Sequence, residues 1–267
     1  MKLIERIKNL QVDKGQIAFF YLGQAGICIK TSENKLIVVD AYLSDACESM
    51  FGFKRMIPTV LQPDEVDADL FLSTHSHADH LDPHLLPIVA KNKKTFFVGS
   101  PDCEEFYKQN NLSKERYSIL KEGEEMETKG VRIKAIFADH GELAPEANGL
   151  MIEVEGITIY HTGDTCFRPD KIKSSLSKQV DIMLAPINGQ YGNLNAAEAC
   201  AVAAVVNPKI LIASHFWMFL EHVSSGGAGD PITFLNESSN LPSTIKAMVL
   251  APGELLMYAN KEKNDEQ

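Results

Sequence analysis

Three histidines and an aspartate fall within six consecutive positions: His75, His77, Asp79 and His80. Imidazole and carboxylate together suit zinc, iron or manganese, whereas calcium and magnesium prefer oxygen ligands alone. Crowding like imidazoles without a metal costs solvation and repulsion, so the cluster points to ion binding. Six neighbouring positions cannot all face one ion. Two adjacent ions, or one ion with supporting partners, use them more economically. Other hydrophobic runs also close on His or Asp: Asp40 ends LIVVD, His140 lies in FADHG, Asp164 in YHTGDT and His215 in IASHF. A lone strand-end histidine is usually a hydrogen-bonded structural residue. Beside the 75–80 cluster, His140, Asp164 and His215 read as ligands of one shared centre. His161, three residues before Asp164, reads either as a substrate contact or as a core strand histidine. His84 reads as structural and His222 as a loop residue.

These groups need rigid elements to bring them together. Short runs of β-branched and aromatic residues predict strands at 17–22, 26–31, 35–41, 69–74 and 95–98, then at 131–138, 149–155, 157–161, 180–186 and 209–214. Two closing strands are expected within 246–258. Helices are expected near the N-terminus, where Leu3, Ile4, Ile7 and Leu10 share a face, and at 83–91 and 101–109. Another should open at Asn195, with Glu198 completing a capping box, and run to Val206. Residues 42–66 read as an irregular surface loop. SSGGAGD at 224–230 reads as a glycine-rich loop without the Gly-Lys-Ser/Thr of a phosphate-binding P-loop. Sheet-forming runs interspersed with helices imply a layered α/β domain. The expected organisation is a single hydrolase domain over 1–260, followed by a charged, disordered tail at 261–267.

Composition narrows the partners. The chain has 267 residues, 45% of them hydrophobic and 23% charged, which excludes wholesale disorder and coiled-coil architecture. No apolar run approaches the ~18–20 residues of a membrane span, and the N-terminus lacks the apolar core and cleavage site of a signal peptide. With 26 basic and 36 acidic residues the net charge is −10, which disfavours nucleic acid and anionic membranes as partners. Five scattered cysteines without a C-x-x-C pair argue against a disulfide framework and fit a reducing cytoplasm. Cys166 is expected to be a small apolar core residue.

The stretch HSHADH resembles the H-x-H-x-D-H signature of the metallo-β-lactamase superfamily, and Asp40, the 75–80 cluster, His140, Asp164 and His215 follow the order of its five motifs. The resemblance spans residues 17–258 and implies a four-layer αββα sandwich with a metal site at one edge. Within the superfamily, YLGQAGICIKT, THSHADHLDP, IYHTGDT and SHFW are similar to the L-ascorbate-6-phosphate lactonase group. The chain is shorter than that group around 140–150 and at the C-terminus, where the longer segments help shape the pocket. The resemblance implies that His75, His77 and His140 hold one divalent ion and Asp79, His80 and His215 a second. Asp164 would bridge them and Asp40 would orient a ligand histidine from behind. It also implies manganese or zinc as the ions.

The expected function is a metal-dependent hydrolase that opens a small, phosphorylated sugar lactone such as L-ascorbate 6-phosphate. A divalent ion would bring the pKa of its water from about 15.7 towards 7, and Asp79 would orient the nucleophile and relay a proton. The substrate phosphate would call for Arg168 or Lys171, with Asn188, Tyr191 and Asn193 as neutral donors. The alternatives are a phosphodiesterase or nuclease on the same site, a phospholipid hydrolase, and a non-catalytic metal- or ligand-binding protein. A homo-oligomer is compatible with all of these readings.

Overall fold

The computed structural model describes residues 1–259; the charged tail expected at 261–267 lies outside the described residues. Runs of Ile, Val, Leu and Phe with buried side chains on both faces form two seven-stranded sheets. The first contains β1 (Gln16–Gly23), β2 (Gly26–Lys30), β3 (Leu36–Val39), β4 (Leu70–Ser73), β5 (Phe96–Gly99) and β6 (Tyr117–Ile119). The second contains β7 (Glu125–Thr128), β8 (Val131–Phe137), β9 (Asn148–Val154), β10 (Ile157–His161), β11 (Ile182–Pro186), β12 (Ile210–Ser214) and β13 (Lys246–Met248). Finally, β14 (Leu255–Ala259) returns to pair with β1 at the edge of the first sheet.

The two sheets share one logic. β1 to β3 are antiparallel and β3 to β6 parallel, while β7 to β10 are antiparallel and β10 to β13 parallel. β1 alternates strictly. Ile17, Phe19 and Tyr21 enter the core shared with Ile133, Ile152 and Ile159 of the second sheet, whereas Ala18, Phe20 and Leu22 face the outer helices.

Helices cover both outer faces. On the first sheet these are α1 (Leu3–Asn9), α3 (Leu86–Val89) and α4 (Glu104–Gln109), which send Ile7, Leu86 and Tyr107 into the outer core, while α2 (Ala46–Phe51) packs into a separate small cluster. On the second they are α5 (Pro169–Ser175), α6 (Ala196–Val206) and α8 (Pro231–Ser238), while α7 (Leu220–Ser224) lies against the segment after α2. The αββα layering expected from the sequence is what the chain adopts. α6 opens as expected: the Asn195 side chain accepts the Glu198 N–H at 3.0 Å, and Glu198 answers the Asn195 N–H.

Several boundaries differ. The helix expected at 83–91 is regular only over Leu86–Val89, and the one at 101–109 begins with a 3-10 turn before α4. The region read as an irregular loop at 42–66 contains α2 and a further 3-10 turn. β6, β7, α5 and α8 had no counterpart in the sequence reading. Among the described residues, no helix is long and apolar enough to cross a membrane.

Candidate metal centre

The loops that leave the parallel strands meet along one edge of the sandwich. β3 delivers Asp40, β4 the 75–80 turn, β10 the turn carrying Asp164, and β12 His215. The antiparallel strand β8 adds His140. Three sets of side chains each bring their ligand atoms within 4.8 Å of one another: His75, His77 and His140; His75, His80 and Asp164; and Asp79, His80 and His215. All seven residues singled out as ligands therefore converge. Asp164 sits between the two histidine sets. Its carboxylate lies 3.3 Å from His80 Nε2, 3.3 Å from His215 Nε2 and 3.8 Å from His140 Nε2.

These distances suit a shared ion. Nitrogen and oxygen ligands stand about 2.0–2.2 Å from zinc, which places neighbouring donors about 3.3 Å apart in a tetrahedron. His75 Nε2 and His77 Nδ1 are 3.0 Å apart, and His215 Nε2 lies 3.4 Å from Asp79. His80 Nε2 and Asp164 Oδ1 are buried and face each other at 3.3 Å without a well-formed hydrogen bond, an arrangement that a cation held by both would complete. The donor set thus fits divalent ions.

A buried network fixes the rings from behind. Asp40 Oδ1 accepts the Thr74 N–H at 2.8 Å; Oδ2 accepts the Thr74 hydroxyl at 2.6 Å and His80 Nδ1–H at 2.8 Å. His75 Nδ1 then donates to the Thr74 oxygen at 3.0 Å. Both rings are thereby left with Nε2 directed at the cluster. The Leu143 carbonyl lies 3.1 Å from His77 Nε2, leaving Nδ1 for the site. Such outer contacts set tautomer and orientation.

The sequence reading missed other members of the network. Gln24, read only as part of a turn, is fully buried and donates from Nε2 to Asp79 at 2.8 Å, while its carbonyl accepts the His215 N–H at 2.7 Å. Asp82 accepts from Leu43 N–H and the Ser44 hydroxyl, and so ties the β3 exit loop to the histidine turn. Gln24, Asp40 and His215 all hold positive φ, an uncommon conformation for side chains other than glycine. Gly163 has φ +62°, and a Cβ there would lie 2.7 Å from the Asn148 carbonyl, so the turn that presents Asp164 requires glycine.

Electrostatics divides the histidines. Burial, reinforced by neighbouring imidazoles, holds His75 well below its usual range and His140 down to about 4. Burial acts the same way on His80 and His215, but the surrounding carboxylates, Asp164 foremost, outweigh it. They raise His80 strongly and His215 to about 9. Against the penalty of burial, His80 and His215 in turn keep Asp79 and Asp164 ionised.

A cavity of about 570 Å3 opens onto the cluster, with His77, Asp79, His140, Asp164 and His215 on its wall. The expected substrate contacts divide here. Tyr191 lines the cavity, its hydroxyl 3.3 Å from His222 Nε2; His222 belongs to α7 rather than a loop. His161 does not reach the cavity: its Nδ1 accepts the Gly163 N–H and its Nε2 donates to the Ala25 carbonyl at 2.8 Å. Arg168 points away, paired with Asp139 at 3.1 Å. Asn188 is buried off the cavity wall, where its backbone bridges to Asn195. Asn193 donates to Asp164 at 2.9 Å and so positions that carboxylate. Cys166 is half-buried rather than in the core, its thiol beside Asp139.

The cavity is capped by two segments distant in sequence. The Leu220 N–H donates to the Lys54 carbonyl, the Met56 N–H to the Met218 carbonyl, and the Lys54 N–H to the Glu221 carboxylate. Tyr42, Ala46, Cys47, Ala78, Met218 and Phe219 form a small hydrophobic cluster beneath this cap, with Phe53 packed against it.

Residues 18–215 match the family model described as the beta-lactamase superfamily domain. The chain belongs to that superfamily. It is a metal-dependent hydrolase of the metallo-β-lactamase fold. A metal-dependent hydrolase from Polynucleobacter asymbioticus is 28% identical over 221 residues, covering 76% of this chain and 75% of that protein. A protein of Escherichia fergusonii described as a probable L-ascorbate-6-phosphate lactonase is 25% identical over 262 residues, covering 80% of this chain and 73% of its own. Among solved structures, a metallo hydrolase from Ignicoccus hospitalis superposes with a TM-score of 0.71 at 19% identity, over 92% of this chain and all of that one.

Proposed function

We propose that this superfamily member hydrolyses a lactone or comparable activated ester. The observation that carries the reading is the opening of one cavity directly onto Asp79, Asp164, His77, His140 and His215. A carbonyl admitted there meets the whole cluster. His75, His77 and His140 would hold one divalent ion, and Asp79, His80 and His215 a second, with Asp164 between them. When bound, such ions, zinc or manganese, supply nucleophilic water near neutral pH and polarise a carbonyl oxygen.

The chain's own groups do the rest. Asp79, oriented by Gln24, faces the cavity, where it is placed to accept the proton of the attacking water. It then returns that proton to the alkoxide oxygen released as the ring opens. The aromatic cap shields this exchange from bulk water and strengthens the electrostatics within. Support for a lactone comes from the likeness to the lactonase-named relative. The absence of lysine and arginine from the described residues lining the cavity weighs against a nuclease. A non-catalytic binding protein is disfavoured by the open cavity, since structural metal sites are closed by about four ligands.

The test is a panel of lactones, phosphodiesters and simple esters offered to zinc- and manganese-loaded protein. Lactone opening that disappears on chelation and returns with metal is the expected result. Turnover of phosphodiesters alone overturns the reading.

A further inference from the structure

Apolar residues lining the cavity beside the cluster include Met50, Phe51, Phe53, Phe106, Leu143 and Phe219. Three of these stand at the mouth with apolar surface still open: Met50 is 55% exposed, Phe51 57% and Leu143 55%. Large apolar side chains gathered at the rim of a pocket mark a surface that is covered in use. Behind them the rings pack on one another: Phe53 lies 5.7 Å from Phe219 and edge-on to His222 at 4.9 Å, with Tyr191 5.5 Å from His222. The outer side of this packed cluster gives the cavity a firm aromatic wall against which another ring can lie.

Charge points the same way. Among the described residues, no lysine or arginine lines the cavity. Arg55, next to the cap, spends its guanidinium on the carbonyls of Tyr42, Ser44 and Ile57 and on the Tyr42 ring. Lys171 lies over the Phe137 ring, outside the cavity. His222 is kept in its neutral form by burial. A phosphate carried away from the cluster, along this wall, would therefore meet hydrocarbon and neutral donors with no lysine or arginine among the described residues to pair with, an expensive place for a dianion.

We infer that the substrate is an uncharged lactone or ester with an aromatic body, its ring seated against Phe53 and the rim residues Met50 and Phe51 while its carbonyl meets the cluster. This rests on the hydrolytic reading above and replaces the phosphorylated sugar lactone expected from the sequence. The volume of about 570 Å3 is ample for a bicyclic guest.

The experiment has two arms on the full-length, metal-loaded protein. In the first, kcat/KM is measured for dihydrocoumarin, glucono-δ-lactone and 6-phosphogluconolactone, each divided by its hydroxide-catalysed rate constant. The aromatic lactone should lead by about 50-fold, the value of burying one ring face. In the second, calorimetry follows 2-indanone, a ring-matched ketone that cannot be hydrolysed, with Phe53→Ala and Met50→Ser. Each variant should weaken its binding by about tenfold, and Met50, half-exposed at a helix end, tolerates replacement without loss of fold. Preference for 6-phosphogluconolactone overturns the inference, as does 2-indanone affinity indifferent to both substitutions. Wall-dependent 2-indanone binding without any lactone turnover overturns lactone hydrolysis and leaves the aromatic pocket supported.

Discussion

Asp40 makes no contact with the cavity, yet its carboxylate receives Thr74 twice and His80 once. Asp40→Asn keeps the shape but removes the charge and turns one of the two accepting oxygens into a donor, so affinity for one ion should fall by about 10–100-fold. Competitive chelator titration reads that loss directly, and an unchanged affinity would show that His80 is held by something else. His77→Ala removes a ligand outright; metal content by elemental analysis and turnover should drop together. Gln24→Leu leaves Asp79 and His215 in place but deprives them of their shared amide, so kcat should fall more than metal content does. The primary ligands were legible because chemistry restricts them to His and Asp at strand ends. Of their supporters, Asp40 was legible through the family resemblance, while Gln24, Thr74 and the Leu143 carbonyl were not: a positive-φ turn, a hydroxyl beside a histidine and a backbone group leave no periodic trace. Asn193 was read as a substrate donor, whereas its amide serves Asp164. Proximity in sequence misled for Arg168: four residues beyond Asp164, the chain has already turned toward Asp139.

Elements tell a similar story. α1 was readable from its apolar spacing, but its anchor was not: buried Lys30 of β2 donates to the carbonyls of Ile7, Lys8 and Leu10 at the helix C-terminus. A cation there complements the helix dipole. Lys30→Met should cost about 1–2 kcal/mol, seen as a lower denaturant midpoint at constant slope. Gly163→Ala should cost more than the ~1–2 kcal/mol of a left-handed alanine, because its methyl would also press on Asn148. Retained thermal stability in that variant would contradict the turn geometry. β7 escaped notice because Glu125, Met126, Glu127 and Thr128 alternate only weakly at a sheet edge, with both glutamates exposed. α2 was hidden by its brevity, six residues ended by Gly52 and followed by Pro58 and Pro63.

For the whole molecule, the divided histidines make stability depend on pH in a defined way. In metal-free protein His80 and His215 titrate above 6.5, so the stability they confer is complete below that pH and is lost at higher pH, for His215 as pH rises through about 9. His75 and His140 titrate below 6.5, so acid works against the folded state through both, for His140 as pH falls towards about 4. The midpoint of thermal unfolding should therefore peak near pH 6.5 without metal. Loading at pH 7 must displace the protons of His80 and His215, and calorimetry in buffers of different ionisation enthalpy should count close to two released. A flat profile, or no proton release, would contradict this arrangement. The layered fold itself was evident from alternating strand and helix runs, since burial on both sheet faces writes continuous apolar segments into the chain.

The lacing of residues 54–56 to 218–221 has a consequence for how this protein can change. The bridge rests on a small cluster that includes Ala78, between the ligands His77 and Asp79, so the plate over the cavity and the ion-binding turn share one core. Substitutions at its exposed rim, at Met50 or Phe51, can retune which molecules are admitted, whereas those in the shared core disturb the reacting groups as well.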